Sequence, residues 1–276
     1  MTLTLAALGP ASGCAGGGGE AVPREPGRQV VAAFYPLAFA AEEVADDVSV
    51  VNLTPAGTEP HDLELSVRDV ERVRDADVVL LIGRGFQPAV EDASAAARGE
   101  VVDLLAELDA GEDPHVWLDP ERYGDLVERV AAALGDEAAA LPLVERLRAL
   151  DRAYERGLAD CERDEIVVAH AAFGHLAEAY GLEQIAIAGL SPEAEPSARA
   201  LQEVAALVEE AGVTTVFVEP LAPPDEARTV ARETGARTAT LNPVEGLTDE
   251  EAARGDDYFS LMEANLEALR EALACR

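Results

Sequence analysis

The feature that most constrains this chain is an alternation, run through twice, of short apolar runs and helical patterns. In the first half, "QVVAAFY", "VSVVNLTP", "ADVVLLIG" and "EVVDLL" are rich in Val, Ile and Leu, and "PLAFAAEEVA", "SVRDVERVRD" and "FQPAVEDASAAA" lie between them. Apolar runs of this length predict strands buried on both faces, and the helices between them make βαβ units with parallel pairing. The pattern returns in "EIVVAH", "LEQIAIAG", "VTTVFVEP" and "ARTATLN", separated by "AFGHLAEAY", "ARALQEVAALVEEAG" and "PDEARTVARETG". "YFSLMEANLEALREALA" closes the chain as a further helix.

From Pro120 to Asp160 the reading changes to helix with apolar residues at helical spacing, broken near Gly135 and Pro142. The expected fold is therefore α/β: two Rossmann-like lobes with parallel sheets, joined by one long rigid helix. The expected segments are an N-terminal lobe at 28–118, a helical region with the linker at 119–162, and a C-terminal lobe at 163–276. At 276 residues the chain is long enough for two cores of ordinary size.

Charge excludes some partners. There are 54 acidic side chains against 21 basic ones, every one of the latter an arginine, for a formal net charge of −33. A polyanion or an anionic membrane surface would be repelled, and no basic stripe offsets this, so no nucleic-acid partner is expected. Surface acid of this kind is first a solvated face, the composition of a GC-rich or salt-adapted source.

Residues 1–27 read as an export signal and a flexible tether: a short apolar stretch, small residues, Cys14 and a glycine run. "ASGC" resembles a bacterial lipobox, which would put a lipid anchor at Cys14. No later segment approaches the roughly 18 apolar residues a membrane span needs. The mature protein is expected outside the cytoplasmic membrane, lipid-anchored to its outer face or periplasmic. Two further cysteines, Cys161 and Cys275, would in that oxidising setting form a disulfide, remain buried thiols, or act as soft metal ligands, though no CxxC spacing supports the last.

Three of the four histidines occupy equivalent places. His61 follows the strand "VSVVNL", His115 follows "EVVDLL" inside the proline box "EDPHVWLDP", and His170 ends "EIVVAH". Pro114 and Pro120 disfavour helix for the residues before them, so His115 belongs on an extended or turning segment. The carboxyl edge of an open α/β sheet is where ligands bind. Loops from two lobes can converge there, and three imidazoles facing one cleft suit Zn2+. His175, inside "AFGHLAEAY", reads as a surface or packing residue. A fourth ligand could be Glu245, on the loop after the last strand, or Glu219, which ends "TTVFVE". Asp249 and Glu250 fall at a helix start, where carboxylates serve the cap and dipole.

Taken together, "GTEPHDLELSVRDV", "DPHVWLDP", "VVAHAAFGHLAEAYGL", "SPEAEPSARAL", "VFVEPLAPPDEARTVARETGA", "LNPVEGLT" and "DDYFSLMEANLEAL" resemble the metal-binding receptors of ABC importers, in their zinc-specific, ZnuA-like branch. The resemblance runs from about Val30 to Cys275. It implies His61, His115 and His170 as imidazole ligands, Glu245 as the acidic ligand, and two lobes bridged by a rigid helix. It implies capture of Zn2+ as transported cargo, delivery to an ABC permease with its ATPase, a monomer, and no enzymatic role. Manganese-binding relatives carry a carboxylate where His170 stands, which points to zinc. A cysteine pair found in several relatives favours the Cys161–Cys275 disulfide. The chain departs from the branch in lacking a histidine-rich loop before His115, in His175 for the usual Tyr, and in Ala169 for the usual Ser. Two rival readings share the residues: a Mn2+ or Fe2+ receptor or adhesin on the same fold, and a zinc hydrolase with an open metal position and Glu59 or Glu219 as base.

Overall fold

A computed structural model describes residues 27–106, 108, 111–192 and 196–276. The signal segment and the anchor at Cys14 lie outside the described residues. The first sheet is built from β1 (Arg28–Ala32), β2 (Val48–Asn52), β3 (Val78–Leu81) and β4 (Glu100–Asp103), in the order β2-β1-β3-β4. All pairs are parallel, with Val30 opposite both Val50 and Val78. Helices α1 (Tyr35–Val44), α2 (Val67–Asp75) and α3 (Pro88–Ser94) make the crossovers. The central strand β3, "VVLL", is buried at every position, as a strand covered on both faces requires.

The second sheet repeats the design. Its strands β5 (Glu165–Val168), β6 (Glu183–Ala186), β7 (Thr215–Val218) and β8 (Arg237–Thr240) run parallel in the order β6-β5-β7-β8. Crossovers are α6 (Gly174–Tyr180), α7 (Ala198–Glu210) and α8 (Asp225–Thr234); α9 (Asp249–Arg254) and α10 (Tyr258–Leu273) end the chain.

The helical middle consists of two helices, α4 (Pro120–Leu134) and α5 (Leu141–Leu158). Asp119 caps α4 by accepting from the Glu121 amide, and Pro120 sits in its first turn, where a missing N–H costs nothing. Gly135, at φ +87°, ends α4 in the left-handed conformation that glycine adopts freely. A short 3-10 turn over Glu137–Ala140 leads into α5. The longer helix, α5, has 18 residues, with α4 folded against it: α4 packs on α1, beside the first sheet, and α5 packs on α6 and α10, beside the second.

One apolar cluster joins the halves. It runs from Val31 and Val79 in the first sheet through Trp117, Tyr123, Tyr154 and Tyr258 to Val168 and Phe217 in the second. The tyrosine hydroxyls in this seam are all satisfied: Tyr123 donates to the Pro36 carbonyl, Tyr154 to Met262 and Tyr258 to Trp117. A smaller cluster around Val167, Val204, Val216 and Val230 covers the opposite face of the second sheet. Cys161 and Cys275 are bonded as a disulfide, which ties the end of α10 to the segment between α5 and β5. Among the described residues, no helix is long and apolar enough to cross a membrane.

Candidate metal centre

Each sequence-predicted ligand sits on a loop at a carboxyl edge. His61 lies between β2 and α2, His115 between β4 and α4, His170 directly after β5, and Glu245 between β8 and α9. His115 has φ −78° and ψ 41° and opens a 3-10 turn over Val116–Leu118, so it stands on a turning segment outside α-helix, as the sequence predicts. The loops that carry His61 and Glu245 meet directly. Gly57, at φ +77°, donates its N–H to the Leu247 carbonyl at 2.8 Å.

The four side chains converge. One ligand atom from each of His61, His115, His170 and Glu245 lies within 4.8 Å of every other. Glu245 Oε1 stands 3.5, 3.2 and 3.3 Å from Nε2 of His61, His115 and His170. An ion bound tetrahedrally at 2.0–2.1 Å has ligand atoms about 3.3–3.4 Å apart, which these distances match. The side chains of His115 and His170 are fully buried, and those of His61 and Glu245 are 7% and 3% exposed. All four facing atoms lack a hydrogen-bond partner. Buried polar atoms are rarely left so, and four aimed at one point fit a cation with nitrogen and oxygen donors.

A second layer of carboxylates sets the rings. His170 Nδ1 donates to Glu219 Oε2 at 2.7 Å, and the His170 backbone N–H donates to the other oxygen at 3.1 Å. His115 Nδ1 and its backbone N–H both donate to Asp113 Oδ1, at 2.7 and 3.0 Å. A carboxylate only accepts, so Nδ1 carries the proton and the Nε2 lone pair faces the centre. His175 holds this layer from the other lobe, donating from Nε2 to the Asp113 carbonyl at 3.0 Å. His61 packs its ring edge against Phe86, with centroids 4.4 Å apart.

The carboxylates and imidazoles of the site shift one another. Burial pushes the Glu245 carboxyl up, but the three imidazoles outweigh it and hold the group well below the usual range. Burial lowers His170, while Glu219 and Glu245 together lift it to about 10. His115 is raised in the same way, by Asp113 and Glu245 against burial. Burial raises Glu59, whose Oε1 is enclosed without a partner while Oε2 accepts from the Asp62 amide.

A model of the family described as "Zinc-uptake complex component A periplasmic", ZnuA, matches residues 30–272. The chain belongs to that family. It is 34% identical over 284 residues to zinc-binding protein AdcA of Streptococcus pyogenes, an alignment covering 88% of this chain and 55% of AdcA. The chain thus spans about half the length of those relatives. It is 33% identical over 277 residues to the high-affinity zinc uptake system protein ZnuA of Bacillus subtilis, covering 88% of this chain and 87% of that protein. Its structure superposes on the Zn(II)-bound ZnuA-like domain of Streptococcus pneumoniae AdcA with a TM-score of 0.76 at 36% identity, covering 90% of this chain and 99% of that one. The ZnuA fold of two parallel-sheet α/β lobes is the one described above.

Glu219, read from sequence as an alternative fourth ligand, stands behind His170, on its Nδ1 side, and is not in the converging set of His61, His115, His170 and Glu245. His175 is a buried packing residue with a specific cross-lobe bond. Asp249 lies in the first turn of α9, as its cap-like setting predicts. Asp113 was missed by the sequence reading. The signal was a carboxylate two residues before a histidine, with a proline between them, which can reach both ring and backbone of that histidine.

Proposed function

We propose that this chain is an extracytoplasmic receptor that captures Zn2+ through His61, His115, His170 and Glu245 and hands it to an ABC permease. The observation that carries this reading is four buried, unpartnered donor atoms from four loops, with the carboxylate oxygen 3.5, 3.2 and 3.3 Å from the three imidazole nitrogens, about the edge length of a zinc tetrahedron. The names of the AdcA and ZnuA relatives point the same way. Zn2+ is cargo, not a resident cofactor. The division into lobes at 28–118 and 163–276 around a helical region at 119–162, the monomeric state, the partnering ATPase and a lipid anchor at Cys14 belong to the same proposal.

A receptor fits better than a hydrolase. Both oxygens of Glu219 are engaged by His170, which takes away one base. The cavity beside Glu245 measures about 10 Å3, room for one water at most. Loading is coupled to proton loss, because only neutral imidazole binds metal.

The test is metal analysis of the wild-type chain beside His61→Ala, His115→Ala, His170→Ala and Glu245→Ala, with Zn2+, Mn2+ and Fe2+ in competition. One zinc per wild-type chain, loss in the three histidine variants and weakened binding in Glu245→Ala is expected. Equal zinc content in all five proteins, or a preference for Mn2+, would defeat the proposal.

A further inference from the structure

Glu245 enters the centre from a loop in which the preceding peptide groups are each held by a named side chain. The Asn242 N–H donates to Asn265 Oδ1, and Asn265 Nδ2 donates back to the Asn242 carbonyl, both at 2.7 Å. Trp117 Nε1 donates to the Pro243 carbonyl at 2.8 Å. The Val244 N–H donates to Asn242 Oδ1 at 2.8 Å, and Asn242 Nδ2 donates to Glu251 Oε1 at 3.1 Å. Glu251 Oε2 is in turn held by the N–H and hydroxyl of Thr248. Asn242, Asn265 and Glu251 are all buried.

What this cluster maintains is an unfavourable backbone. Val244, immediately before Glu245, has φ +55°. A β-branched residue occupies the left-handed region only when its surroundings impose it. Packing alone does not account for the arrangement, since an apolar side chain at 242 would fill the space without fixing the Val244 amide. Were that amide released, Val244 would return to extended backbone, turning the peptide that carries Glu245 and withdrawing its carboxylate from the three imidazoles.

We propose that Asn242, clamped by Asn265 and Glu251, is a positioning residue that holds Val244 in the left-handed conformation and so keeps Glu245 committed to the metal. This rests on the zinc-ligand reading given above. A fixed fourth protein ligand favours a four-coordinate ion. A loosened one admits water and lowers discrimination against ions that prefer more oxygen ligands.

A double-mutant cycle tests it: wild type, Asn242→Ala, Glu245→Ala and the double variant, with zinc affinity read by chelator competition and site geometry by the visible absorption of bound Co2+. Asn242→Ala should weaken zinc binding about 10–100-fold, the range for residues that orient metal ligands. With Glu245 already alanine it should cost about twofold or less. The intense four-coordinate Co2+ bands of the wild type should give way to one weaker spectrum shared by both single variants. An equal loss in both backgrounds, or an unchanged Asn242→Ala, overturns the inference while leaving the metal centre standing. A wild-type chain that takes up neither zinc nor cobalt overturns both. If Asn242→Ala does not fold, the isosteric Glu251→Gln carries the same cycle.

Discussion

The indole of Trp117 lies against His115, with ring centroids 5.2 Å apart, while its Nε1 donates at 2.8 Å to the carbonyl of Pro243, just ahead of Glu245. One buried side chain therefore touches the proposed ligand His115 and also holds the loop that carries the proposed ligand Glu245. Trp117 is also the only tryptophan in the chain. Zinc should change its emission with saturation at one equivalent, and a chelator should reverse the change. Zinc uptake with unaltered emission would contradict this coupling.

The carboxylates behind the imidazoles should matter almost as much as the imidazoles. Glu219→Gln removes the charge that holds His170, and Asp113→Asn does the same for His115. Each should reduce zinc affinity by about 10–100-fold with the fold retained. Chelator competition beside far-ultraviolet circular dichroism measures both, and wild-type affinity in either variant would count against an orienting role.

Metal-induced stabilisation should grow with pH. His170 is lifted to about 10 in the metal-free protein, largely by Glu219 and Glu245 against the pull of burial. Its unfolded value is about 6.5, so its protonation stabilises the metal-free fold fully below that pH, and the contribution fades as pH rises through the folded value. Zinc needs the neutral ring, so its binding strengthens over the same interval. The difference in unfolding temperature with and without zinc should widen from about pH 6 to about pH 8.5. A constant or shrinking gap in thermal scans would refute the linkage.

The Cys161–Cys275 bond closes a loop with a sequence separation of 114 and fastens α10. Neither cysteine belongs to the metal centre or its surrounding carboxylates. Replacing both by serine should lower stability by about 2–4 kcal/mol and leave zinc stoichiometry unchanged. Denaturant unfolding and metal analysis of the same sample would show whether the two effects separate.

A formal charge of −33 should make the folded state respond to salt. Raising NaCl from about 0.1 M to about 1 M shortens the screening length from about 10 Å to about 3 Å, which relieves carboxylate repulsion. The unfolding midpoint should rise accordingly, and an unchanged midpoint would show that the repulsion has no net effect on folding.

The strands and the convergence of the histidines could be read from sequence because they depend on local pattern and topology. "ADVVLLIG" is apolar enough to require cover on both faces, and parallel crossovers then send every following loop to one edge. The break at Gly135 was equally visible, although the folding of α4 against α5 was not. Pairing partners at long range left weaker traces. Asn265 and Asn242 are ordinary polar residues in a helix and a loop, and only the folded structure shows the Asn265 side-chain amide clasping the backbone N–H and carbonyl of Asn242. Glu219 looked like a ligand because a carboxylate at a strand end can serve either in a metal shell or behind it. The choice between those positions is a matter of side-chain reach across 49 residues of chain.

The aromatic seam bears on how the molecule could be divided. Tyr258 belongs to the last helix, yet it stacks near Phe39 and Tyr123 and bonds to the carbonyl of Trp117. A fragment ending after α4 would lay these rings bare to solvent, and one beginning at β5 would lose the partners of Tyr258. Neither half should be obtainable as a well-behaved piece on its own. Bisecting the chain at the linker should yield two aggregating polypeptides that become soluble only when expressed together.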